Sequence, residues 1–203
     1  MPDFIFETKA GVQDGRIVCG VDEAGRGPLS GPVVAAAVIL DPKNIPDGLN
    51  DSKAMSHGAR ERLLNNLKES AIIGVGISEP AEIDRLNILW ASMIAMKRAI
   101  ENLYISVDCA LIDGNRVPPN LYCDAHAIVK GDAKSLSIAA ASIVAKVTRD
   151  EIMVEADRRF PGYGWAGHKG YPTKAHREAV ERLSRSPAHR WSFGQKKKKT
   201  SQN

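Results

Sequence analysis

The stretch IVCGVDEAGRGPLSGPVVAAAVIL, residues 17–40, decides the fold class of this chain. It contains two apolar, β-favouring runs, residues 17–22 and 33–40, separated by a segment rich in glycine and proline. Glycine and proline interrupt regular structure, whereas short runs of valine, isoleucine and other apolar residues favour strands. The stretch therefore predicts two strands joined by a glycine-rich connection.

A dinucleotide-binding loop is the alternative interpretation of residues 25–31, because they follow a strand and resemble the pattern G-x-G-x-x-x-G. That motif must open a helix, whereas Pro28 and Pro32 lead here into a β-favouring run. We therefore favour a connection between strands. Its first glycines, Gly25 and Gly27, have no Cβ, so the backbone can approach a ligand closely, and the arginine between them can face a phosphate or an acid.

The spacing of apolar residues after residue 40 predicts further helices and strands. From Pro80 to Leu103, apolar residues recur at three- and four-residue steps, which predicts one amphipathic helix packed on the core, with a short coiled-coil seam as the alternative. The other predicted elements are helices at about 57–69, 135–160 and 173–185 and strands at 71–77, 107–112 and 125–129. This order predicts an α/β domain in which a mixed β-sheet is flanked by helices and followed by a helical C-terminal extension.

The composition is typical of a globular protein with one main domain. Of its 203 residues, 43% are hydrophobic and 26% are charged. No apolar run reaches the roughly 18 residues that a membrane span requires, and the N-terminus lacks the layout of a signal peptide, so we expect a cytoplasmic protein. Three cysteines without a CxxC pair predict buried thiols rather than a disulfide framework or a zinc site.

Positive charge is concentrated towards the C-terminus. The net charge is +4, and nine arginines and lysines lie within residues 149–190, before the run from Lys196 to Lys199. This distribution favours a nucleic-acid partner. The terminal run itself is typical of a solvated, disordered tail.

Four carboxylates stand at the ends of predicted strands. Asp22 and Glu23 end the first strand, and Asp113 and Asp132 follow two later ones. Adjacent residues of a strand point to opposite faces, so Asp22 and Glu23 can serve one site only where the strand ends or distorts. Because neighbouring strands lie about 4.8 Å apart, we expect the four acids to converge at one end of the sheet.

A hard divalent cation, Mg²⁺ or Mn²⁺, would relieve the repulsion among four such carboxylates, because both ions prefer oxygen ligands. Two ions about 4 Å apart are a common arrangement for phosphodiester hydrolysis, in which one activates water and the other stabilises the leaving oxygen. A single acid at a strand end is more often a cap or a turn residue. The set of four predicts a metal-dependent nuclease.

The segment PGYGWAGHKGYPTKAHR, residues 161–177, combines aromatic, imidazole and basic side chains. Aromatic faces stack on bases or sugars, and hydroxyl or imidazole groups can contact a 2′-hydroxyl. Packing on the helical extension is the alternative role for Tyr163, Trp165 and Tyr171. We favour substrate contact for all three.

Several motifs, taken in order, resemble those of bacterial ribonuclease HII. They are GVDEAGRGPLSGPVVAAAVIL, LNDSKAMS, IDRLNIL, LIDGNR, VKGD, IAAASIVAKVTRD, and FPGYGWAGHKGYPT followed by HRWSFG. The resemblance spans about residues 17–194, and so many motifs in register make it specific. It agrees with the nuclease predicted from the acids.

This resemblance implies a ribonuclease H-like fold and endonucleolytic cleavage of RNA in RNA/DNA hybrids. It also implies cleavage 5′ of single ribonucleotides embedded in duplex DNA, leaving 5′-phosphate and 3′-hydroxyl ends, with a role in ribonucleotide excision repair and DNA replication. We expect a monomeric single domain with a catalytic core at about 15–160, a substrate-binding helical extension at about 161–194 and a basic tail at 195–203.

The resemblance also implies the site residues. The family's acidic positions match Asp22, Glu23, Asp113 and Asp132, which would be catalytic metal ligands for Mn²⁺ or Mg²⁺. The first three match the usual ligands, and Asp132 would act through water or the second ion.

Substrate contacts are implied for residues near these acids. Gly25, Arg26 and Gly27 would read the 2′-hydroxyl and the scissile phosphate, largely through backbone groups. Tyr171 matches the tyrosine that stacks under the sugar beside the cut. Lys53 matches the lysine of the Asp-Ser-Lys motif, a phosphate contact.

The chain departs from the family pattern in three places. Ala54 and Met55 follow Lys53 where many relatives have a second basic residue, and Trp191 stands where arginine is frequent, which puts nearby DNA contacts in doubt. The tail lacks the pattern of a sliding-clamp peptide, so we expect no clamp anchor there.

Two alternative functions stay open at this point. One is a related nuclease of the same fold, such as a junction resolvase or a ribonuclease that acts only on long hybrids. The other is a non-catalytic module that binds hybrids.

Overall fold

The computed structural model describes residues 1–50, 52 and 55–194. At its centre is a five-stranded sheet in the order β3-β2-β1-β4-β5. The strands are β1 (Val18–Ala24), β2 (Val33–Leu40), β3 (Ala71–Ser78), β4 (Cys109–Asp113) and β5 (Asp124–Ile128). β2 is antiparallel to β1 and β3, whereas β1, β4 and β5 run parallel. The predicted mixed α/β sheet is confirmed.

Helices cover both faces of this sheet. In the described part of the chain they are α1 (Ile5–Lys9), α2 (His57–Ser70), α3 (Pro80–Leu86), α4 (Ile88–Glu101), α5 (Leu136–Arg159), α6 (Trp165–His168) and α7 (Lys174–Leu183). α3 and α4 pack on one face, and α2 and α5 pack on the other. Elements as short as α1 and α6 were not predicted, because one helical turn shows no periodicity.

Strand β2 shows how the sequence separates the two faces. Val33 and Ala35 pack with α4, whereas Ala36 and Val38 pack with α2 and α5. All four residues are fully buried. Side chains of a strand alternate between its faces, so an uninterrupted apolar run marks a strand covered on both sides.

The single helix predicted from Pro80 to Leu103 is wrong, because the chain forms two helices there. Asn87, between α3 and α4, has a φ of 67° and a ψ of 165°, a backbone conformation that cannot continue a helix. Its side-chain oxygen accepts the N–H groups of Leu89 and Trp90 at the start of α4. The apolar spacing continues across this break, so periodicity alone does not reveal it. α4 packs on the sheet, which excludes the coiled-coil alternative.

Helix α5 brings the C-terminal half of the chain against β1. The side chain of Ser135 caps it by accepting the N–H of Ile138, as predicted for a helix that begins near residue 135. A Cβ on Gly20 of β1 would lie 2.2 Å from the backbone carbon of Ser137. Only glycine therefore permits this close packing between strand and helix.

The extension packs on the far end of α5. Met153 of α5 forms a small buried cluster with Tyr163, Trp165 and Ala179. Residues 25–31 enter β2 directly without forming a helix, which excludes the dinucleotide-binding alternative.

Two further expectations concern the thiols and the membrane. Cys19 and Cys109 are buried, as predicted, whereas Cys123 is half-buried, and all three thiols are free. Across residues 1–50, 52 and 55–194, no helix is long and apolar enough to cross a membrane.

Candidate active site

Asp22 and Asp113 lie where the pairing of β1 with β4 stops. The last paired residues of the two parallel strands are Val21 and Ile112, and each acid is the next residue of its strand. β1 continues to pair with β2 beyond this point. The edge of β1 that faced β4 is therefore open beside Asp22 and Glu23, and both acids line one cavity although they are adjacent in sequence.

This cavity, which we name the acidic cleft, combines distant parts of the chain. Its lining residues are Asp22, Glu23, Ala24, Gly25, Arg26, Gly27, Ser52, Ser142, Lys146, Arg149 and Tyr171. The strand end, the glycine-rich connection, helix α5 and the extension each contribute to it. Of the predicted site residues, it brings together both acids of β1, the connection from Gly25 to Gly27, and Tyr171.

The acids beside the cleft repel one another. Asp22 is only 4% exposed, and burial raises its pKa well above the ordinary value, with the charges of Glu23 and Asp113 adding to the shift. Burial also raises the pKa of Glu23, and Asp113 adds to that rise. Arg26 opposes the shift of Glu23, because its Nη1 donates to Oε1 at 3.1 Å. Negative charge is thus concentrated where water is scarce.

Backbone N–H groups orient two of these carboxylates. Oδ1 of Asp22 accepts the N–H of Glu23 at 2.7 Å, and Oδ1 of Asp113 accepts the N–H of Gly131 at 2.6 Å. Gly131 begins a short 3₁₀ turn that ends at Ala133. Asp113 is thereby attached to the turn that carries Asp132.

Asp132 is placed differently from the prediction that it ends a strand. β5 ends at Ile128, and Asp132 lies in the middle of the 3₁₀ turn, where it is 7% exposed. Neither Asp113 nor Asp132 is part of the cleft lining given above. Asp113 acts on the cleft through its charge, and Asp132 lies next to the glycine that Asp113 binds.

The donor set suits a hard cation. Among the residues described, no three side chains of His, Cys, Asp or Glu are gathered closely enough to hold a metal ion as they stand. The acids nonetheless offer only oxygen atoms, which Mg²⁺ and Mn²⁺ prefer. Burial raises the pKa of Asp22 and repulsion from Glu23 and Asp113 adds to the rise; a bound cation would remove that repulsion.

Arg190 fixes the glycine-rich connection. Its side chain is fully buried, and its guanidinium donates to five backbone carbonyls at 2.6–3.1 Å. The acceptors are Gly25, Arg26, Pro28, Gly31 and Pro32. A planar group with five N–H donors is the side chain best suited to such a cradle.

Arg149 joins the same connection to the extension. It donates to the carbonyls of Ser30 and Pro32 and, from Nη1, to that of Lys169. Gly25 has a φ of 100°, and a Cβ there would lie 2.0 Å from Nε of Arg149. The fold itself therefore requires glycine at position 25.

Gly27 differs from Gly25 in this respect. A Cβ there would meet only the Cε1 atom of Tyr171, at an ordinary distance of 3.7 Å. The ring of Tyr171 is 43% exposed. The connection and this ring thus face each other across a space that the protein leaves open.

Most of the aromatic segment is packed rather than exposed. Tyr163 and Trp165 stack with ring centroids 4.8 Å apart and are 7% and 0% exposed. The predicted substrate contact is therefore wrong for these two residues, which pack within the fold. His176 is also fully buried. Its Nδ1 donates to the carbonyl of Tyr171 at 2.9 Å, and its Nε2 accepts the indole N–H of Trp165 at 3.1 Å. This imidazole supports the backbone of Tyr171 from within the fold.

Several polar residues of the site were not predicted. Ser142, Lys146 and Arg149 of the motif IAAASIVAKVTRD are spaced by four and three residues, which places them on one helix face. That spacing could have identified them. Nζ of Lys146 donates to Asp150 at 2.7 Å. The predicted phosphate contact Lys53 lies outside the described residues.

A family model described as ribonuclease HII matches residues 19–196. The chain belongs to the ribonuclease HII family. The ribonuclease HII of Maricaulis maris (strain MCS10) is 57% identical over 185 residues, which cover 91% of this chain and 85% of that protein.

Solved structures agree with this membership. Ribonuclease H2 from Pyrococcus horikoshii OT3 matches with a TM-score of 0.74 at 30% identity, over 87% of this chain and 93% of that one. Ribonuclease HII of Archaeoglobus fulgidus, in its complex with PCNA, matches with a TM-score of 0.76 at 25% identity, over 91% and 98%. The ribonuclease H-like fold is confirmed. The prediction that this chain's tail has no clamp peptide concerns residues 195–203, outside the described part.

Membership in the ribonuclease HII family makes the chain a nuclease that hydrolyses phosphodiester bonds, acting on the RNA strand of RNA/DNA hybrids. A non-catalytic binding module is thereby excluded.

The buried histidines beneath Tyr171 predict sensitivity to acid. Burial lowers the pKa of His189 from 6.5 to about 4, and the neighbouring His176 adds to this. Because the folded state favours the neutral imidazole, its stabilising contribution is present above about pH 6.5 and is lost as the pH falls towards 4. The raised pKa of Asp22 has the opposite effect, because it stabilises the folded protein as the pH falls. A variant that lacks His189 therefore separates the two effects.

We expect His189→Asn to lose less free energy of unfolding than the unmodified protein between pH 6.5 and 4. The asparagine oxygen can still accept the N–H of Ser186, which His189 Nδ1 accepts now. Urea denaturation at a series of pH values measures both proteins. Parallel curves of stability against pH would contradict the assignment.

Proposed function

We propose that the acidic cleft and its surroundings form a metal-dependent active site, in which Asp22, Glu23, Asp113 and Asp132 hold two divalent ions, Mn²⁺ or Mg²⁺. The observation that carries this proposal is the group of buried, mutually repelling carboxylates at the end of β1. When bound, the ions would activate the attacking water and stabilise the leaving oxygen. The products would have 5′-phosphate and 3′-hydroxyl ends.

The protein's own groups would hold the substrate and the acids in place. N–H groups orient the carboxylates of Asp22 and Asp113. Arg26, with its side chain 51% exposed, and Lys146 bring positive charge to the cleft for a phosphate. Lys53 is proposed as a further phosphate contact, since Ser52, directly before it, lines the same cleft.

The connection from Gly25 to Gly27 would read the junction between RNA and DNA together with Tyr171. The fold does not require glycine at position 27, because a Cβ would have room there. We infer that the substrate backbone occupies this space, so that N–H groups contact the 2′-hydroxyl and the scissile phosphate while the ring of Tyr171 stacks on the sugar. Such a site would cut 5′ of a single ribonucleotide embedded in duplex DNA.

We propose that different parts of the chain supply the acids and the substrate surface. Residues of about 15–160 would supply the acids, residues 161–194 would supply the substrate surface with Tyr171, and residues 195–203 would form a basic tail. Arg149 and Arg190 bridge the first two parts. A cytoplasmic monomer that acts in ribonucleotide excision repair fits this substrate.

The metal site is tested by Asp22→Asn. We expect cleavage of a labelled RNA/DNA hybrid to fall by roughly 100-fold or more, because a ligand and its charge are lost. Binding of Mn²⁺, measured by titration calorimetry, should weaken as well. The metal-free variant should melt at a higher temperature, because it lacks a buried charge whose pKa is raised.

Asp124→Asn is the matched control for this variant. Asp124 begins β5, and its exposed carboxylate pairs with Arg16 rather than with the cleft. We expect Asp124→Asn to change neither cleavage nor Mn²⁺ binding. Hydrolysis that persists when Asp22→Asn is combined with Asp113→Asn would refute the metal site.

Reading of the junction is tested by Tyr171→Ala. Stacking of a base on an aromatic ring contributes about 1–3 kcal/mol. With a contact of the same order between the sugar and the ring of Tyr171, cleavage at a lone ribonucleotide in a DNA duplex should fall by roughly 10- to 100-fold. Cleavage of a long RNA/DNA hybrid should fall less, because it offers many alternative sites. Tyr104→Ala, which removes a tyrosine that is 78% exposed, is the control. Unchanged cleavage at the lone ribonucleotide would contradict the role of Tyr171. An unmodified protein that cuts only the long hybrid would favour the alternative of a ribonuclease restricted to long hybrids.

A further inference from the structure

A short N-terminal segment, residues 2–10, lies against the turn that carries Asp132. It precedes residue 19, where the match to the ribonuclease HII model begins. The N–H of Asp3 donates to the carbonyl of Lys134 at 3.1 Å, and the carbonyl of Asp3 accepts the N–H of Leu136 at 3.0 Å. Asp3 thus binds the chain on both sides of Ser135, between the turn and helix α5.

Glu7 is the buried acid of this segment. It is 1% exposed. Its Oε1 accepts three hydrogen bonds at 2.5–2.9 Å, from the hydroxyls of Ser135 and Ser137 and from the N–H of Ser137. Its Oε2 has no hydrogen-bond partner among the described residues. A buried carboxylate is costly unless donors compensate for the lost water. Three donors from the start of α5 bind one oxygen of Glu7, so they compensate for the burial of its carboxylate.

A series of hydrogen bonds connects Glu7 to Asp113, which lies beside the cleft. Ser135, whose hydroxyl binds Glu7, also donates its N–H to the carbonyl of Gly131 at 2.8 Å. The N–H of Gly131 in turn donates to Asp113 at 2.6 Å. Asp132 is the residue after Gly131. Its turn is therefore held by Asp113 at one end and by Glu7 at the other.

We infer that Glu7 is a positioning residue for the metal site: through Ser135 and Ser137 it fixes the turn that presents Asp132. This inference rests on the proposed function, in which Asp132 helps to hold the ions. Glu7 touches neither the substrate nor the cleft, and its effect passes through the backbone of residues 131–137.

The test is Glu7→Ala, compared with Met96→Ala. Met96 is 1% exposed and lies under the other face of the sheet, so its truncation destabilises the fold without touching the turn. Amide hydrogen exchange and Mn²⁺ titration calorimetry are measured on both full-length variants at a temperature where both are folded. We expect Glu7→Ala to speed exchange at residues 131–137 and to weaken Mn²⁺ binding by about tenfold, and Met96→Ala to do neither.

A second variant covers the case in which Glu7→Ala does not fold. Glu7→Gln keeps one acceptor oxygen but places an amide group at Oε2, where the described residues offer no partner. We expect changes in the same direction and of smaller size. Mn²⁺ binding that weakens no more than in Met96→Ala would overturn the role of Glu7.

Asp132→Asn separates this inference from its premise. If that variant binds Mn²⁺ as tightly as the unmodified protein, the assignment of Asp132 as a ligand fails, and the inference about Glu7 fails with it. If Asp132→Asn weakens binding and Glu7→Ala does not, only the inference about Glu7 is wrong.

Discussion

Two buried guanidiniums, those of Arg149 and Arg190, hold together the parts of the chain on which the site depends. The glycine-rich connection between β1 and β2 turns most of its carbonyls into the protein, where their hydrogen bonds are buried. Arg190 donates hydrogen bonds to five carbonyls of the connection. Arg149 donates to two carbonyls of the connection and to one in the extension. Buried carbonyls without donors would be costly. The connection therefore adopts this conformation only when the extension has packed against it and has placed Arg190, 165 residues downstream of Gly25, among its carbonyls.

The charges of the site follow from this arrangement. The buried arginines direct their donors to carbonyls, so they do not neutralise Asp22, and Arg26 alone among the cleft's arginines forms an ion pair in the described residues, with Glu23. The pKa of Asp22 consequently stays raised by burial and by its acidic neighbours. Acids held close together without sufficient positive charge lower the stability of the fold. Such repulsion is common in sites that bind a cation or a substrate.

The fold and the acids could be predicted from sequence because each depends on local patterns. Short apolar runs locate the strands, and acids directly after such runs lie at the same end of a sheet when the strands are parallel, as Asp22 and Asp113 do. The break at Asn87 escaped prediction because one residue with a non-helical backbone leaves the apolar spacing intact.

The supporting groups could not be predicted in this way. Arg190 belongs to HRWSFG, a motif that the sequence marks clearly, but its partners are backbone carbonyls more than 150 residues away. Glu7 is similarly defined by serines 128 and 130 residues later. Whether a charged residue faces solvent or is buried against distant backbone is decided by tertiary packing, as is the buried state of Trp165.

The most direct test of this account is amide hydrogen exchange at Leu29 and Gly31 in Arg190→Lys. In the intact protein these amides donate to the carbonyls of Gly170 and Ala188 in the extension. An ammonium group has three donors and cannot serve five carbonyls. We expect exchange at both amides to be at least about tenfold faster, while β1 and β4 stay protected. Arg182→Lys, a change at an exposed arginine, should have no effect. Unchanged protection at both amides in Arg190→Lys would contradict this account.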